Sequence, residues 1–228
     1  MKKIGIVGGI GPASTLDYYS GIINGFRQKT GDDNYPEIII NSINMTEMLS
    51  YVSYKDWNSL VNLLLNSIEN LAKAGAELAA IASNTPHIVF GEVQKQSALP
   101  LISIVEETCK YAQLKRCKKV VVIGTGFTMS NGLYNEALKK YNIAASVPSK
   151  EDQAAIHNII FPKLEEGIVV PEDKQKMLAI TERLLTEQNA DGLILGCTEL
   201  PLMIKDKDLD TLIFNTTQIH IESIVNSI

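Results

Sequence analysis

The amino-acid sequence predicts an α/β protein of two similar doubly wound halves, each a parallel sheet covered by helices, related by a pseudo-two-fold. Three observations predict this fold. Short β-branched runs alternate with helix-length amphipathic stretches along all 228 residues, which is typical of parallel sheets buried on both faces. The order of strands and turns repeats once along the chain. Hydrophobic residues make up 45% of the sequence, enough to build two cores.

Seven apolar runs are predicted strands, because each is short, rich in apolar residues and bounded by turn residues. They are residues 3–7, 37–43, 78–82, 100–104, 119–123, 192–195 and 211–214. Helices are predicted at residues 14–29, 56–74, 89–97, 105–114, 131–141, 151–166, 171–188 and 216–227. Gly75 and Gly192 are predicted to end the helices that precede two strands, as glycine commonly does.

Each half places a glycine turn after one strand and a polar turn after a later strand. Gly8 precedes Ser83 by 75 positions, and Gly124 precedes Cys197 by 73. We therefore predict a first half of residues 1–98 with 210–228, and a second half of residues 99–209. Open parallel sheets bind ligands at the carboxyl ends of their strands, so the four turns are expected to line a cleft between the halves.

Charge and hydropathy exclude several classes of protein. The formal net charge of -5 gives no electrostatic reason to expect nucleic-acid or membrane binding. No apolar run approaches the ~20 residues that a membrane helix needs. The apolar run at the N-terminus is too short and too broken by glycine for a signal peptide, and we interpret it as a first buried strand. These features predict a cytoplasmic protein.

Three cysteines and three histidines are too unevenly spaced for a disulfide framework or a zinc site, and we predict no bound metal. Cys109 and Cys117 are interpreted as buried small side chains. Cys197 instead follows Gly196 at the end of a strand. A helix is predicted to start just after it, and a helix N-terminus would lower the pKa of the thiol below its usual ~8.5.

The turn Gly8-Gly9-Ile10-Gly11-Pro12 only partly matches a dinucleotide-binding loop. The sixth position of that motif is Ser14 rather than glycine or alanine, and no acidic residue closes the second strand to bind a ribose. We favour a tight turn whose N–H groups, with the following helix, hold a carboxylate. A glycine turn with a purely structural role is the alternative.

Polar side chains cluster just after the strands of both halves and in the second glycine turn. Asn84, Thr85 and Thr198 could bind a substrate, or they could only cap the helices that follow. The threonines of the second glycine turn, Thr125 and Thr128, can donate to an anion without carrying a charge. Glu199 could act as a base or orient one, and His87 could polarise Ser83; a structural role is the alternative for both.

Taken together, these motifs resemble those of the aspartate/glutamate racemase superfamily, the cofactor-independent amino-acid racemases. The resemblance covers essentially the whole chain. It rests on Ile4-Gly5-Ile6-Val7-Gly8-Gly9-Ile10-Gly11-Pro12, Ser83-Asn84-Thr85-Pro86-His87, Gly124-Thr125 with Thr128-Met129, Leu195-Gly196-Cys197-Thr198-Glu199-Leu200, and the closing Ile219-His220.

The resemblance implies an enzyme that removes the Cα proton of an amino acid on one face and returns one on the other. Donors around the substrate carboxylate would stabilise the carbanion. It implies Cys197 and Ser83 as the catalytic pair, and Gly11 with the five polar residues named above as substrate contacts. It also implies an amino acid as the bound partner, no pyridoxal phosphate or other cofactor, and a homodimer.

One position departs from the family's pattern. Where Cys-Asn-Thr is usual, this chain has Ser83-Asn84-Thr85, and serine is a poor base unless activated. Our main hypothesis is racemisation of aspartate and/or glutamate, with Cys197 as the main acid/base and Ser83 opposite. A related isomerase or decarboxylase with one working cysteine is one alternative, and an amino-acid-binding protein without turnover is another.

Overall fold

The computed structural model describes all 228 residues, which pack as two units, each built on a four-stranded parallel sheet. Unit 1 comprises Met1–Glu107 with Thr217–Ile228, and unit 2 comprises Thr108–Thr216. The predicted α/β class, with two similar parallel-sheet halves, is confirmed. The division predicted at 98/99 and 209/210 falls a few residues before each of these packing boundaries.

Unit 1 has the strand order β2-β1-β3-β4, with all pairs parallel. Its elements are β1 (Ile4–Gly8), α1 (Pro12–Thr30), β2 (Ile38–Ser42), α2 (Met45–Tyr54), α3 (Trp57–Lys73), β3 (Leu78–Ile81), a 3-10 turn (Thr85–Val89), α4 (Phe90–Gln96) and β4 (Leu101–Ile102). The helix α5 (Ile104–Leu114) follows and continues into unit 2. All five residues of β1 are buried, as predicted for the N-terminal run.

Unit 2 has the equivalent strand order β6-β5-β7-β8, again parallel throughout. Its elements are β5 (Lys119–Ile123), α6 (Gly126–Ser130), α7 (Leu133–Lys139), β6 (Ala144–Ser146), α8 (Lys150–Ile159), a π-helical turn (Ile160–Leu164), α9 (Pro171–Gln188), β7 (Gly192–Leu195), α10 (Leu200–Met203), a 3-10 turn (Asp206–Asp208) and β8 (Leu212–Asn215). The last helix, α11, spans Thr216–Asn226.

The register of the central strands repeats between the units. In unit 1, Val7 of β1 pairs with Ile81 of β3 at the end of the ladder. In unit 2, Ile123 of β5 pairs with Leu195 of β7 at the same place. Ser83 and Cys197 each lie two positions beyond the last paired residue. Each unit's sheet therefore presents one of these two residues at the carboxyl end of its equivalent strand.

The C-terminal helix α11 completes the core of unit 1. Its apolar residues pack against α1 and the sheet, in a cluster that includes Tyr18, Phe26 and Ile221. Gly21 on α1 permits this close packing, because a Cβ atom there would lie 2.7 Å from the Ile221 side chain. The chain therefore returns to its first unit after building the second.

Three of the differences from the sequence predictions have a local physical reason. β6 was not predicted because Ala-Ala-Ser lacks the β-branched residues that mark a strand. The helix predicted at 151–166 breaks at Phe161 (φ -103°, ψ 135°), since a residue before proline is driven out of the helical region. Gly192 lies inside β7, and Asn189, at φ 46°, ends α9 instead. The short helices α2, α6 and α10 also have no counterpart among the predicted elements.

No helix in the protein combines the length and apolar character that crossing a membrane requires. The three cysteines, Cys109, Cys117 and Cys197, are all buried, and none of them forms a disulfide bond.

Two fully buried histidines make the stability of unit 1 sensitive to acid. His220 donates from Nε2 to the Ile102 oxygen at 2.9 Å and accepts the Tyr18 hydroxyl at Nδ1 at 2.6 Å, so its ring is held neutral. Burial lowers the pKa of His220 to about 4. Burial and the nearby His220 lower the pKa of His87 to about 3. In the unfolded chain both would titrate near 6.5.

Because the unfolded state binds more protons between about pH 6.5 and the depressed folded values, stability is lost as pH falls through this window. We expect the free energy of unfolding to drop from pH 7.5 to pH 5 by up to about 2 kcal/mol per histidine. Urea unfolding at the two pH values measures this. His220→Gln should reduce the drop, and His157→Gln, in unit 2, should not; an unchanged drop in His220→Gln would show that this histidine is not the cause.

Candidate active site

The glycine turn after β1 requires glycine at position 9, and one of its N–H groups is already hydrogen-bonded to α1. Gly9 has φ 83°, and a Cβ atom there would lie 2.2 Å from the Ile43 oxygen, so only glycine fits. The Gly9 N–H donates to Thr15 Oγ1 at 2.8 Å. Gly11 caps α1, and Pro12 occupies its first turn as predicted. The Gly9 N–H is thus already engaged, and any anion-binding role falls to other groups of the turn, such as Gly11.

Two side chains fix the main chain around Ser83, which is 8% exposed. Ser14 Oγ donates to the Ala82 oxygen at 3.0 Å, and His87 Nδ1 donates to the Ser83 oxygen at 2.8 Å. His87 Nε2 is buried without a hydrogen-bond partner. The imidazole therefore binds the Ser83 peptide rather than its hydroxyl. It holds the Ser83 main chain in place and does not contact the Ser83 hydroxyl, as polarisation of that hydroxyl would require.

Asn84 and Thr85 lie beside Ser83 and are buried, with exposures of 3% and 9%. No side-chain hydrogen bond caps the 3-10 turn that follows. The capping role considered for these two residues is therefore not seen in the structure. Both lie at the carboxyl end of β3, where ligands of parallel sheets bind.

In unit 2, the ends of β5 and β7 approach so closely that only glycine is accommodated. A Cβ atom on Gly124 would lie 2.9 Å from the Gly196 oxygen, and one on Gly196 would lie 3.0 Å from the Ile123 oxygen. A Cβ atom on Gly196 would also lie 3.0 Å from the Thr128 side chain. This approach brings the second glycine turn against the residue that precedes Cys197.

Thr125 and Thr128 are bound to each other within that turn. Thr125 Oγ1 accepts the Thr128 N–H at 3.3 Å and lies 3.1 Å from Thr128 Oγ1. Thr125 therefore caps α6, a role not predicted from the sequence. The two hydroxyls lie at the carboxyl end of β5, adjacent to the end of β7.

Cys197 lies in the core of unit 2 and is 5% exposed. Its thiol donates to Glu199 Oε2 at 3.1 Å, and the Thr198 hydroxyl donates to the same oxygen at 2.8 Å. The other carboxylate oxygen of Glu199, Oε1, is buried without a hydrogen-bond partner. A base is thus placed within reach of the thiol proton.

Glu165 is a further member of the cluster that the sequence did not reveal. Its carboxylate, the Cys197 sulfur and the Glu199 carboxylate lie within 4.8 Å of one another, and these three side chains could hold a metal ion. Burial, and then the charge of Glu199, raises the pKa of Glu165 to about 7. Glu165 follows the break at Phe161, which precedes Pro162, inside a stretch predicted as continuous helix. Proline in that stretch was the only available signal.

The pKa of Cys197 is raised well above its ordinary value, by burial first and then by the negative charges of Glu199 and Glu165. The sequence-based expectation of a lowered pKa is therefore wrong. It relied on a helix N-terminus, but α10 begins only at Leu200 and is short. Burial and two acidic neighbours outweigh it. Cys197 rests as a neutral thiol.

The charge of Glu165 can be removed without removing the thiol. Above about pH 7 Glu165 is ionised and raises the pKa of Cys197. We therefore expect Glu165→Gln to increase the thiolate fraction of Cys197 in this pH range. Iodoacetamide should alkylate Cys197 several-fold faster in this variant than in the parent. Peptide mass spectrometry separates Cys197 from the other two cysteines.

The exposed neighbour Glu166 supplies the matched control, and Glu166→Gln should react at the parental rate. The difference caused by Glu165→Gln should shrink below about pH 6, where Glu165 is protonated in the parent. Equal alkylation rates at pH 8.5 in the parent and in Glu165→Gln would contradict the assigned electrostatics.

Comparison with known proteins identifies the family. The model of the family described as Asp/Glu/Hydantoin racemase matches residues 7–224. The broad specificity amino-acid racemase RacX of Bacillus subtilis (strain 168) is 29% identical over 202 residues, covering 86% of this chain and 85% of RacX.

Solved structures agree. An aspartate racemase homologue from Pyrococcus horikoshii OT3 is 36% identical, with a TM-score of 0.88 over 100% of this chain and 99% of that one. Picrophilus torridus aspartate racemase, 23% identical, shares the fold with a TM-score of 0.80 over 100% of this chain and 94% of that one. The chain therefore belongs to the Asp/Glu/Hydantoin racemase family and is an amino-acid racemase of its cofactor-independent type.

Proposed function

We propose that this enzyme racemises aspartate and/or glutamate, with Cys197 as the main acid/base and Ser83 as the opposed group. The observation that carries the proposal is the buried Cys197 thiol hydrogen-bonded to the Glu199 carboxylate at the end of β7. Ser83 occupies the equivalent register position after β3. Family membership supplies the reaction type. The family's description, which names Asp and Glu, and a relative described as an aspartate racemase homologue support the substrate class.

The chemistry must begin by making a base, because a neutral thiol cannot remove a Cα proton. Glu199 accepts the thiol proton through its existing hydrogen bond, which leaves a thiolate on Cys197. The thiolate then takes the Cα proton, and fixed donors around the substrate carboxylate stabilise the carbanion. Ser83 gives its hydroxyl proton to the opposite face of the carbanion and regains one from solvent. Glu199 releases the thiol proton to solvent, so the enzyme returns to its starting state.

We assign the substrate contacts to neutral groups at the strand ends. They would hold the α-carboxylate and ammonium without contributing a competing charge near the carbanion. These groups are Gly11, Asn84, Thr85, Thr125, Thr128 and Thr198. Their support is position: each lies at or just beyond the carboxyl end of a central strand, where ligands of parallel sheets bind.

The serine at position 83 favours a second candidate function. A hydroxyl is a much weaker acid than a thiol and therefore supplies very little of its anionic, basic form near neutral pH. This suits a related isomerase or decarboxylase in which one cysteine does the proton transfer. A non-catalytic amino-acid-binding protein is the third candidate. Exchange of the substrate α-hydrogen with deuterated water separates them, because a binding protein would catalyse none.

We also propose that the enzyme acts in the cytoplasm as a homodimer, an assembly that follows from the resemblance to the family. Light scattering on the purified protein tests the assembly. A mass of one chain at the concentrations used for assay would exclude a dimer as the active form.

Replacing the thiol tests the principal role. We expect Cys197→Ala to lose racemisation of both enantiomers of aspartate and glutamate by ~10²-fold or more, the usual contribution of a positioned acid/base. Chiral chromatography measures the products, and circular dichroism checks folding. Cys117→Ala, at one of the other two buried cysteines and just before β5, should keep its activity. Parental activity in folded Cys197→Ala would show that the thiol is dispensable.

Restoring a thiol at position 83 tests the opposed group. The equilibrium constant between enantiomers is one, so a weak Ser83 must slow both directions together. It can still uncouple exchange from inversion, because Cys197 can remove and return a proton on its own side. We expect one enantiomer to exchange its α-hydrogen with deuterated water much faster than it racemises, and the other not to.

Ser83→Cys should raise racemisation ~10²–10⁴-fold and bring the two rates together. Nuclear magnetic resonance follows exchange, and chiral chromatography follows inversion. Equal exchange from both enantiomers in the parent, with no gain in Ser83→Cys, would show that Ser83 is already fully active or is not the second group.

A further inference from the structure

The cluster beside Cys197 contains acidic groups without a cation. Neither the Glu165 nor the Glu199 carboxylate forms an ion pair. The neighbouring charges that act on Glu165 and Cys197 are all negative. Buried carboxylates are usually paired, because desolvation of an unpaired charge costs several kcal/mol. The cluster is therefore electrostatically incomplete.

The hydrogen bonds of Glu199 are incomplete as well. Its Oε2 accepts two bonds, from the Cys197 thiol and the Thr198 hydroxyl. Its Oε1 accepts none, although the residue is only 3% exposed. A buried acceptor without a partner is rare in folded proteins and commonly marks a group that binds something else. The vacant acceptor lies on the same carboxylate that receives the reactive thiol's proton.

We infer that Glu199 and Glu165 form a subsite for the α-ammonium group of the substrate. The inference rests on the proposed function, and it assigns to two carboxylates a contact that the neutral strand-end groups were proposed to provide. An ammonium group offers three N–H donors and one positive charge. It could therefore donate to Glu199 Oε1 and to the Glu165 carboxylate together, since one oxygen of each carboxylate and the Cys197 sulfur lie within 4.8 Å of one another.

Such a contact would couple binding to activation. A positive charge beside Cys197 favours the thiolate, which opposes the effect of the two carboxylates. The free enzyme would keep its sulfur neutral, and the enzyme–substrate complex would gain a base. The ammonium and the acidic proton are attached to the same carbon atom, so binding the first places the second next to the sulfur.

Ligands that differ only in the ammonium group test the subsite. L-Aspartate has succinate as its matched analogue without nitrogen, and L-glutamate has glutarate. Calorimetry measures all four affinities in the metal-free protein, and racemisation adds no heat because enantiomers have equal enthalpy. The variants are Glu165→Gln and, as the matched control, Glu166→Gln at the exposed neighbouring position.

We expect the parent to bind the amino acid more tightly than its analogue. Glu165→Gln should weaken amino-acid binding by ~10-fold or more, the worth of a charged hydrogen bond, and leave the analogue unchanged or tighter. Glu166→Gln should change neither affinity. Equal weakening of both ligands, or no change in either, would overturn the subsite.

Two further outcomes distinguish the ammonium subsite from a binding pocket without turnover and from a metal site. Discrimination that depends on Glu165, without racemisation of any amino acid, would support the subsite and refute the proposed function. The untreated parent protein could instead retain Zn²⁺ after dialysis, and Glu165→Gln could lose it. If the variant still distinguished the amino acid from its analogue as the parent does, the cluster would be a metal site and the ammonium assignment would be overturned.

Discussion

The hydrogen bond from the Cys197 thiol to the Glu199 carboxylate is the interaction on which the candidate site depends. It joins an acid and a base in a place that water barely reaches. Burial and two carboxyl groups hold the sulfur in its neutral form, which resists the oxidation and alkylation that an exposed thiolate suffers. In the proposed mechanism, the Glu199 carboxylate, one hydrogen bond away, is the base that deprotonates this thiol. A cation entering the cluster would favour transfer of the thiol proton to Glu199. The basic thiolate of Cys197 would then form only when substrate is present.

The scaffold supplies this arrangement through strand register. Both units pair a first and a third strand in the same way, so that a glycine turn and a polar turn end at the same sheet edge. Gly124 and Gly196 let the two strand ends of unit 2 approach within van der Waals distance. In unit 1, Ser14 and His87 bind the peptide groups around Ser83. One geometry thus presents a thiol in one unit and a hydroxyl in the other, and the difference in their acidity sets the chemistry available to each.

The sequence revealed what is local along the chain. Strands with β-branched runs, and the polar residues directly after them, could be placed from the sequence because each pattern is contained in a few consecutive residues. Glu165 could not be predicted, since only the break at Phe161 and the packing of unit 2 bring it to Cys197. The predicted direction of the pKa shift of Cys197 was wrong for a related reason. A helix start is visible in sequence, whereas burial and the charge of a distant residue arise only from the fold.

The protonation state of Cys197 in the free enzyme tests the proposed activation most directly. Cysteine labelled with ¹³C at Cβ reports the state of each sulfur by nuclear magnetic resonance, and loss of one signal in Cys197→Ala assigns it. We predict that the Cys197 signal stays at its thiol position across the range where ordinary cysteine titrates, near pH 8.5, and moves toward the thiolate position when substrate is added. A thiolate signal at neutral pH without substrate would contradict the neutral resting thiol.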